Sequence, residues 1–372
     1  MSLSGKQFFE KFEAYCPQWL AEEGDPVGLH IGTTNKELNT VMVTLDVRPE
    51  VVVEAIEKKV DLIIAKHPPI FRPAKRLDLD QPQTKMYADL LKHDIAVFAA
   101  HTNLDIVENG LNDWFCELLG IENTVYLAKT HTVPYKKLAV FVPVEQAAEM
   151  RAALGEAGAG TQGDYRNTSY SIIGTGRFTP VEGASPSIGR LNQEESVQEA
   201  KIEVIFPETL ETAVLNAMYS VHPYEEPAFD VYTISNLKKE YGLGRIGELN
   251  EAVTLTEFIK LVKNKFGVEG LRLITKDEEK KIKKVAICGG SGEKFYREAL
   301  NKGADVYITG DVYYHTAHDM EEEGLTVIDP GHHIEELCMP ELVKLFNQWK
   351  KDYTWEVTFI QSEVNTNPFK LR

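Results

Sequence analysis

The sequence predicts an α/β protein in which an α+β module interrupts a single two-lobed core. Short, almost wholly apolar runs alternate with helical patterns before residue 120 and again after residue 270, as parallel strands covered on both faces do. Between these stretches the predicted order of elements becomes β-α-β-β-α-β, which is that of a ferredoxin-like sandwich. We therefore expect residues 1–129 and 238–372 to form the two lobes and residues 130–237 to form the insert.

The first lobe is predicted to begin with an amphipathic helix, because apolar side chains recur at helical spacing over residues 7–20. A β-α-β unit follows, with an apolar strand at residues 40–45, a helix that begins at Pro49 and a second apolar strand at residues 60–65. The later elements of this lobe are expected as a helix at 85–93, a strand at 95–100 and a helix at 111–119.

The insert and the second lobe supply the remaining elements. In the insert, strands are expected at 138–143, 169–174, 200–207 and 229–233, and helices at 145–156 and 210–220. In the second lobe, helices are expected at 256–266, 293–302 and 312–323, and strands at 271–275, 285–288, 306–308 and 325–328.

The composition is that of an ordinary globular protein with a strongly acidic balance. The 372 residues carry a formal net charge of -17. Binding to nucleic acid or to an anionic membrane needs a basic surface, so we expect neither as a partner.

The four cysteines are scattered without a C-x-x-C pair, which favours buried thiols in a reducing compartment. No apolar run reaches the length of a membrane span and no signal-peptide core opens the chain, so we expect a cytoplasmic protein.

A candidate metal site follows the last apolar run of the second lobe. Gly331 closes that run, and His332 and Glu336 come next. If an α-helix begins here, the imidazole and the carboxylate lie four residues apart on one helical face, which is the geometry of half a metal site. The alternative is a solvated polar face, since short patterns of this kind are common.

Two strand ends of the first lobe repeat this plan. His67 follows the strand at 60–65, and His101 and Asp105 follow the strand at 95–100. Ligand-binding residues of open α/β sheets lie beyond the carboxyl ends of the strands, so these side chains are expected in one cleft. We assign His67, Asp105, His332 and Glu336 as ligands of a divalent transition metal. The absence of thiolates from this set favours zinc, iron or manganese.

Some roles stay open at this point. His101 is a further ligand, an outer partner of the ligands, or a side chain that contacts a helix N-terminus or bonds a nearby carbonyl. Asp105 is a ligand or the N-cap of the following helix. The turn at residues 289–292 could bind an anion through the amides of Gly290, Ser291 and Gly292, or could simply connect a strand to a helix. Residues 222–227, H-P-Y-E-E-P, form a rigid turn or a subunit or ligand contact.

Several of these motifs closely resemble the Nif-three-like family, whose members are often labelled GTP cyclohydrolase 1 type 2 homologs. The resemblance runs nearly end to end and includes the longer bacterial form, in which a domain similar to the PII and CutA proteins is inserted. The motifs that carry it are A-K-H-P-P-I-F at 65–71, H-T-N-L-D at 101–105, G-L-G-R-I-G at 242–247, T-G-D at 309–311 and G-H-H-I-E-E at 331–336.

The resemblance implies a two-metal centre in the cleft of a two-lobed core. The family's ligands match His67, Asp105, His332 and Glu336, with Glu336 bridging the two ions. It also implies a homo-oligomer, a toroidal hexamer built as a trimer of dimers, whose PII/CutA-like inserts would cap the openings of the ring.

One position departs from the family pattern, because Lys66 stands where the family usually has a first histidine. A protonated lysine has no lone pair to donate and repels a cation, so binding of the second metal ion should be weakened. We expect one or two ions per subunit, with full occupancy at the ion held by His67, Asp105 and Glu336. Partial or absent occupancy is expected at the ion held by His332. A desolvated, neutral Lys66 is the alternative.

Two functions are consistent with these residues. The first is a metal-dependent hydrolase that acts on a nucleotide or another phosphorylated small molecule, with the metal stabilising developing negative charge. The second is a non-catalytic, metal-dependent ring that binds or senses a small molecule through its insert. The family label decides neither, since fold does not fix function.

Overall fold

The chain folds into two compact units. The computed structural model describes residues 1–370. One unit comprises residues 1–130 and the chain from Tyr241 onward, and the other comprises His131–Glu240. The first unit is thus built from both ends of the sequence, and the second unit is inserted between them in the chain.

The strands of the described chain follow the predicted apolar runs, with additions. In chain order they are β1 (Leu3–Ser4), β2 (Gly28–Ile31), β3 (Glu37–Leu38), β4 (Thr40–Thr44), β5 (Leu62–Ala65), β6 (Ala96–Ala99), β7 (Ile121–Pro143), β8 (Tyr170–Phe178), β9 (Glu195–Pro207), β10 (Phe229–Thr254), β11 (Arg272–Ile274), β12 (Lys281–Ile287), β13 (Val306–Ile308), β14 (Thr326–Asp329) and β15 (Thr358–Gln361).

Two of the described α-helices begin at side-chain caps. Ser4 and Thr254 each accept a hydrogen bond from the amide three residues later and so begin the first and eighth α-helices with capping boxes. None of the described helices is long and apolar enough to cross a membrane. The α-helices are α1 (Gly5–Tyr15), α2 (Pro49–Glu57), α3 (Pro82–Lys92), α4 (Thr102–Ile106), α5 (Leu111–Leu119), α6 (Ala147–Glu156), α7 (Glu211–Val221), α8 (Leu255–Phe266), α9 (Tyr296–Asn301), α10 (Tyr314–Glu322) and α11 (Cys338–Asp352).

The core of the first unit contains two groups of parallel strands. One is a five-stranded sheet of order β15-β4-β5-β6-β2, parallel except for β2 at its edge. In the other, β12, β13 and β14 pair in parallel, with β11 and β10 antiparallel on either side. All residues of β5, β6 and β13 are buried, as expected for strands covered on both faces. A single apolar cluster that includes Phe12, Phe98, Phe115, Ile308 and Phe346 connects the two groups.

The His131–Glu240 unit has a smaller core of its own. Its elements follow the order β7, α6, β8, β9, α7, β10, and β9 pairs antiparallel with both β7 and β8. The core contains Val140, Met150, Ile202, Phe206 and Met218. The H-P-Y-E-E-P segment lies between α7 and β10, where the ring of His222 is hydrogen-bonded to the carbonyl of Phe141 at 2.9 Å.

Some elements were not expected from the sequence. Strands β7 and β10 are 23 and 26 residues long and extend well beyond the strands expected at 138–143 and 229–233. Helix α11 and strand β15 were not predicted either. Polar and apolar side chains do not alternate cleanly along the first half of β7, so the period-two signal of a strand is lost there.

Candidate metal centre

Three side chains converge at the carboxyl ends of the two parallel strand groups. They are His67, which follows β5, and His332 and Glu335, which follow β14. Their ligand atoms all lie within 4.8 Å of one another. Glu335 Oε2 lies 2.9 Å from His67 Nε2 and 3.2 Å from His332 Nε2, and the two Nε2 atoms are 3.2 Å apart. Glu335 is 2% exposed. Two imidazole nitrogens therefore meet one buried carboxylate oxygen.

The prediction that Glu336 faces His332 is wrong, and the reason is the type of helix. His332–Leu337 is a 3-10 helix rather than an α-helix. A 3-10 helix has three residues per turn, so residues i and i+3 share a face, and Glu335 takes the position expected for its neighbour. The side chain of Glu336 is 47% exposed, and its Oε2 lies 3.5 Å from His333 Nδ1.

Each clustered histidine is held by a second carboxylate. Asp46, just after β4, lies 2.8 Å from His67 Nδ1, and Asp311, just after β13, lies 2.6 Å from His332 Nδ1. A carboxylate at Nδ1 accepts a hydrogen bond there, and in the neutral imidazole this leaves the Nε2 lone pair directed at the cluster. Histidines that bind metals in proteins are usually oriented in this way. The hydrogen bond to Glu335 raises the pKa of His332 to about 9, although burial lowers it.

Lys66 and Asp105 form a buried ion pair beside the three-residue cluster. Lys66 Nζ lies 3.2 Å from Asp105 Oδ2 and 3.5 Å from Glu335 Oε1. Burial lowers the pKa of Lys66, but the two carboxylates outweigh it and raise that pKa above its ordinary value. The charged ammonium is therefore the form that this site stabilises, in contrast to the neutral-lysine alternative.

Asp105 does not join the two clustered histidines. Its Oδ2 faces Lys66, and its Oδ1 is buried without a hydrogen-bond partner within residues 1–370. Burial raises the pKa of Asp105 to about 7, while Lys66 lowers it. Asp105 lies inside α4 and the N-cap of α5 is Gly110, so the N-cap alternative is wrong. The structure thus groups His67 with His332, whereas the sequence suggested a group of His67, Asp105 and Glu336.

His101 lies next to the cluster and has a carboxylate partner of its own. Its Nδ1 is 2.8 Å from Asp25 Oδ1, and its ring centroid is 5.7 Å from that of His67. Asp25 is fixed in turn by the amide of Thr102 at 3.1 Å. Burial and the charge of Lys66 both lower the pKa of His101. The ring is therefore a neutral neighbour of the cluster, and its role as a ligand or outer partner stays a prediction.

The glycine turn after β12 makes room for the cluster. Gly290 has a φ of +62°, and a Cβ atom there would lie 2.7 Å from Glu335 Oε1 and 3.4 Å from His332 Nε2. Any side chain at this position would collide with the carboxylate. The amide of Gly292 already donates to Thr309 Oγ1 at 2.9 Å. The anion-binding role of Gly290, Ser291 and Gly292 stays a prediction.

Sequence reasoning missed four carboxylates at this site. Glu335 was overlooked because its neighbour Glu336 fitted an α-helical spacing. Asp25, Asp46 and Asp311 were given no role, although Asp46 and Asp311 each stand close behind a buried parallel strand. A search for carboxylates at every strand end, rather than for histidines first, would have found these two.

Comparison with known proteins places the chain in a family. A model of the Duf34/NIF3 (NGG1p interacting factor 3) family matches residues 3–368. The chain belongs to this family.

Relatives and solved structures match the chain over nearly its whole length. The GTP cyclohydrolase 1 type 2 homolog of Bacillus subtilis (strain 168) is 48% identical over 368 residues, which is 99% of this chain and 98% of that protein. The homolog of the same name from Listeria innocua is 45% identical over 369 residues, 99% of each chain. The crystal structure of a Bacillus cereus protein related to NIF3 is 43% identical, with a TM-score of 0.92 and 99% of each chain covered.

Proposed function

We propose that this protein binds a divalent transition metal ion through His67, His332 and Glu335. The observation that carries the proposal is the pairing of two histidines, each held at Nδ1 by an aspartate, across one buried carboxylate oxygen. Two imidazole Nε2 atoms that lie 3.2 Å apart beside one oxygen of a carboxylate that is 2% exposed have the arrangement of ligands around a shared cation. A cation between the three atoms would satisfy all of them at once.

The donor set indicates which metals fit. Two imidazole nitrogens and a carboxylate oxygen, without a thiolate, suit zinc, iron or manganese. Three protein ligands leave further coordination positions for an exogenous ligand, which is the pattern of catalytic rather than structural sites. A bound divalent ion would supply Lewis-acid polarisation of a phosphoryl or carbonyl oxygen.

Hydrolysis of a nucleotide or another phosphorylated small molecule is the activity that the site supports best. The pair formed by His101 and Asp25 supports it, because Asp25 at Nδ1 leaves the Nε2 of a neutral imidazole as a proton acceptor beside His67. Relatives carry the name GTP cyclohydrolase 1 type 2 homolog, which is consistent with a nucleotide substrate.

The second candidate is a non-catalytic ring that binds a small molecule through its insert. We propose the insert to be a ferredoxin-like, PII/CutA-like domain, which its β-α-β-β-α-β order supports. We further propose a homo-hexamer arranged as a trimer of dimers. In favour of self-association, strand β8 lies at the edge of its sheet and carries exposed apolar side chains, namely Tyr170, Ile172 and Ile173.

Metal content after purification and reloading tests the central proposal. His332→Ala should lose the ion, because it removes one of the three donors. His333→Ala is the matched control, since His333 faces Glu336 rather than the cluster, and it should keep the ion. Equal metal content in both variants and in the unmodified protein would remove the proposal.

Turnover separates the two candidate functions. The metal-loaded protein would be assayed on GTP, other nucleotides and simple phosphate esters with zinc, manganese or iron. Activity that disappears in the His332→Ala variant supports the hydrolase. Full metal occupancy with no turnover of any of these substrates favours the binding protein.

Light scattering coupled to size-exclusion chromatography tests the assembly. We expect a mass about six times the 41.9 kDa of the chain. Replacing Ile172 and Ile173 by lysine should lower that mass if β8 lies in an interface. A monomer mass for the unmodified protein at micromolar concentration would contradict the hexamer.

A further inference from the structure

Lys66 places a fixed positive charge inside the site. Its side chain is 1% exposed, and its ammonium lies between Asp105 Oδ2 at 3.2 Å and Glu335 Oε1 at 3.5 Å. A buried charge is tolerated only when it is paired, and here two carboxylates from distant parts of the chain provide the pairing. The ammonium therefore occupies a cation site that is formed by the carboxylates of Asp105 and Glu335.

Glu335 divides its two oxygens between this position and the candidate metal. Oε2 meets the Nε2 atoms of His67 and His332, while Oε1 faces the ammonium of Lys66. Glu335 is thus a carboxylate that bridges two cation positions, one for a diffusible ion and one filled by the chain itself. Bridging carboxylates commonly connect metal ions about 3.5 to 4 Å apart.

Asp105 retains coordinating capacity that Lys66 does not use. Its Oδ1 is buried and has no hydrogen-bond partner within the part of the chain that the structure describes. Asp105 is 6% exposed, so bulk water does not compensate this oxygen. An orphaned carboxylate oxygen beside a buried cation position is an unused oxygen donor that could bind a metal ion.

We propose that Lys66 is an internal counter-ion that limits the protein to one divalent ion, and that Asp105 and Glu335 form a latent second metal site behind it. This inference rests on the proposed metal at His67, His332 and Glu335. The ammonium excludes a second ion in two ways, since it fills the space and repels another cation at short range. It also holds Glu335 in place when the first ion is absent, because a covalently attached cation cannot dissociate.

Substitutions of Lys66 separate charge from ligand capacity. Lys66→His removes the fixed charge and offers a nitrogen donor next to Asp105 and Glu335. Lys66→Met removes the same charge and fills the space with a chain that is a poor ligand for these metals. In a third variant, Lys66→His is combined with Asp105→Asn, which deletes one carboxylate of the latent site.

The experiment measures how many manganese ions each chain binds, by equilibrium dialysis, and records the EPR spectrum of the bound Mn(II). The unmodified protein and Lys66→Met should bind about one ion per chain and show the spectrum of an isolated ion. Lys66→His should bind about two ions and show an exchange-coupled spectrum, because Glu335 would bridge them. The combined variant should return to about one ion.

The outcomes separate this inference from the proposal on which it rests. No tight ion in the unmodified protein removes the metal proposal itself. One ion in both the unmodified protein and a folded Lys66→His variant keeps that proposal and overturns the latent site. If Lys66→His does not fold, the unmodified protein still tests the inference, since two tightly bound ions with Lys66 in place would overturn it.

Discussion

Replacing Glu335 by glutamine is expected to weaken metal binding by more than about 100-fold, whereas the same change at Glu336 leaves it intact. Loss of groups that merely orient metal ligands already lowers affinity by about 10 to 100-fold, and Glu335 is itself a proposed ligand. Glutamine keeps the shape of the side chain but removes the negative charge that faces two histidines and Lys66.

The two adjacent glutamates make this comparison unusually well controlled. They differ in exposure, since Glu335 is 2% exposed and the side chain of Glu336 is 47% exposed, but they share a helix and a chemical group. Isothermal titration with zinc or manganese on both variants gives the affinities. Loss of binding in Glu336→Gln, with retention in Glu335→Gln, would restore the α-helical interpretation of this segment.

The second large effect is expected at Arg245, where Arg245→Met should destabilise the first unit by about 3 to 5 kcal/mol. Arg245 is 3% exposed, and its guanidinium contacts both oxygens of Asp113 at 2.6 and 2.8 Å. It also donates to the carbonyl oxygens of Gly244 and Val107. Methionine fills much of the space but leaves a carboxylate and several carbonyls without a donor.

Thermal unfolding followed by circular dichroism measures this effect, with a midpoint several degrees lower in Arg245→Met. Arg297→Met is the control, because Arg297 is 67% exposed and its pair with Glu323 lies at the surface. That variant should unfold at the temperature of the unmodified protein. Equal midpoints for both variants would show that the buried arginine is not needed for stability.

The elements that position the site could be predicted from the sequence because the physical signal is local. Strands β5, β6 and β14 are short apolar runs closed by Gly, Pro or His, and such runs belong to covered parallel sheets. The rule that ligands lie beyond the carboxyl ends of the strands then selected His67 and His332. The structure brings these two histidines together although they are far apart in the chain.

Which glutamate faces His332 could not be predicted in the same way. Both Glu335 and Glu336 follow His332 at a helical spacing, one at i+3 and the other at i+4. The choice between them depends on whether the turn is 3-10 or α, and the two differ by small local energies that tertiary packing decides. Gly331, with a φ of 90°, sets the direction in which the chain enters this turn.

The aspartates that hold the two histidines could not be predicted, because they meet them through contacts between residues distant in the chain. Asp46 and Asp311 each lie 21 residues from the histidine that they hold, and no spacing rule connects such positions. The surroundings of Lys66 depend on such distant contacts as well. The structure places its ammonium against both Asp105 and Glu335, and the effect of this charge on a site that contains His332 stays a prediction.

Anomalous diffraction from crystals of the metal-loaded protein tests the central claim most directly. We expect one strong peak about 2.0 to 2.2 Å from His67 Nε2, His332 Nε2 and a carboxylate oxygen of Glu335, with no second peak between Asp105 and Glu335. A fully loaded crystal whose only peak lies on Asp105 or Glu336, without His332, would contradict the account.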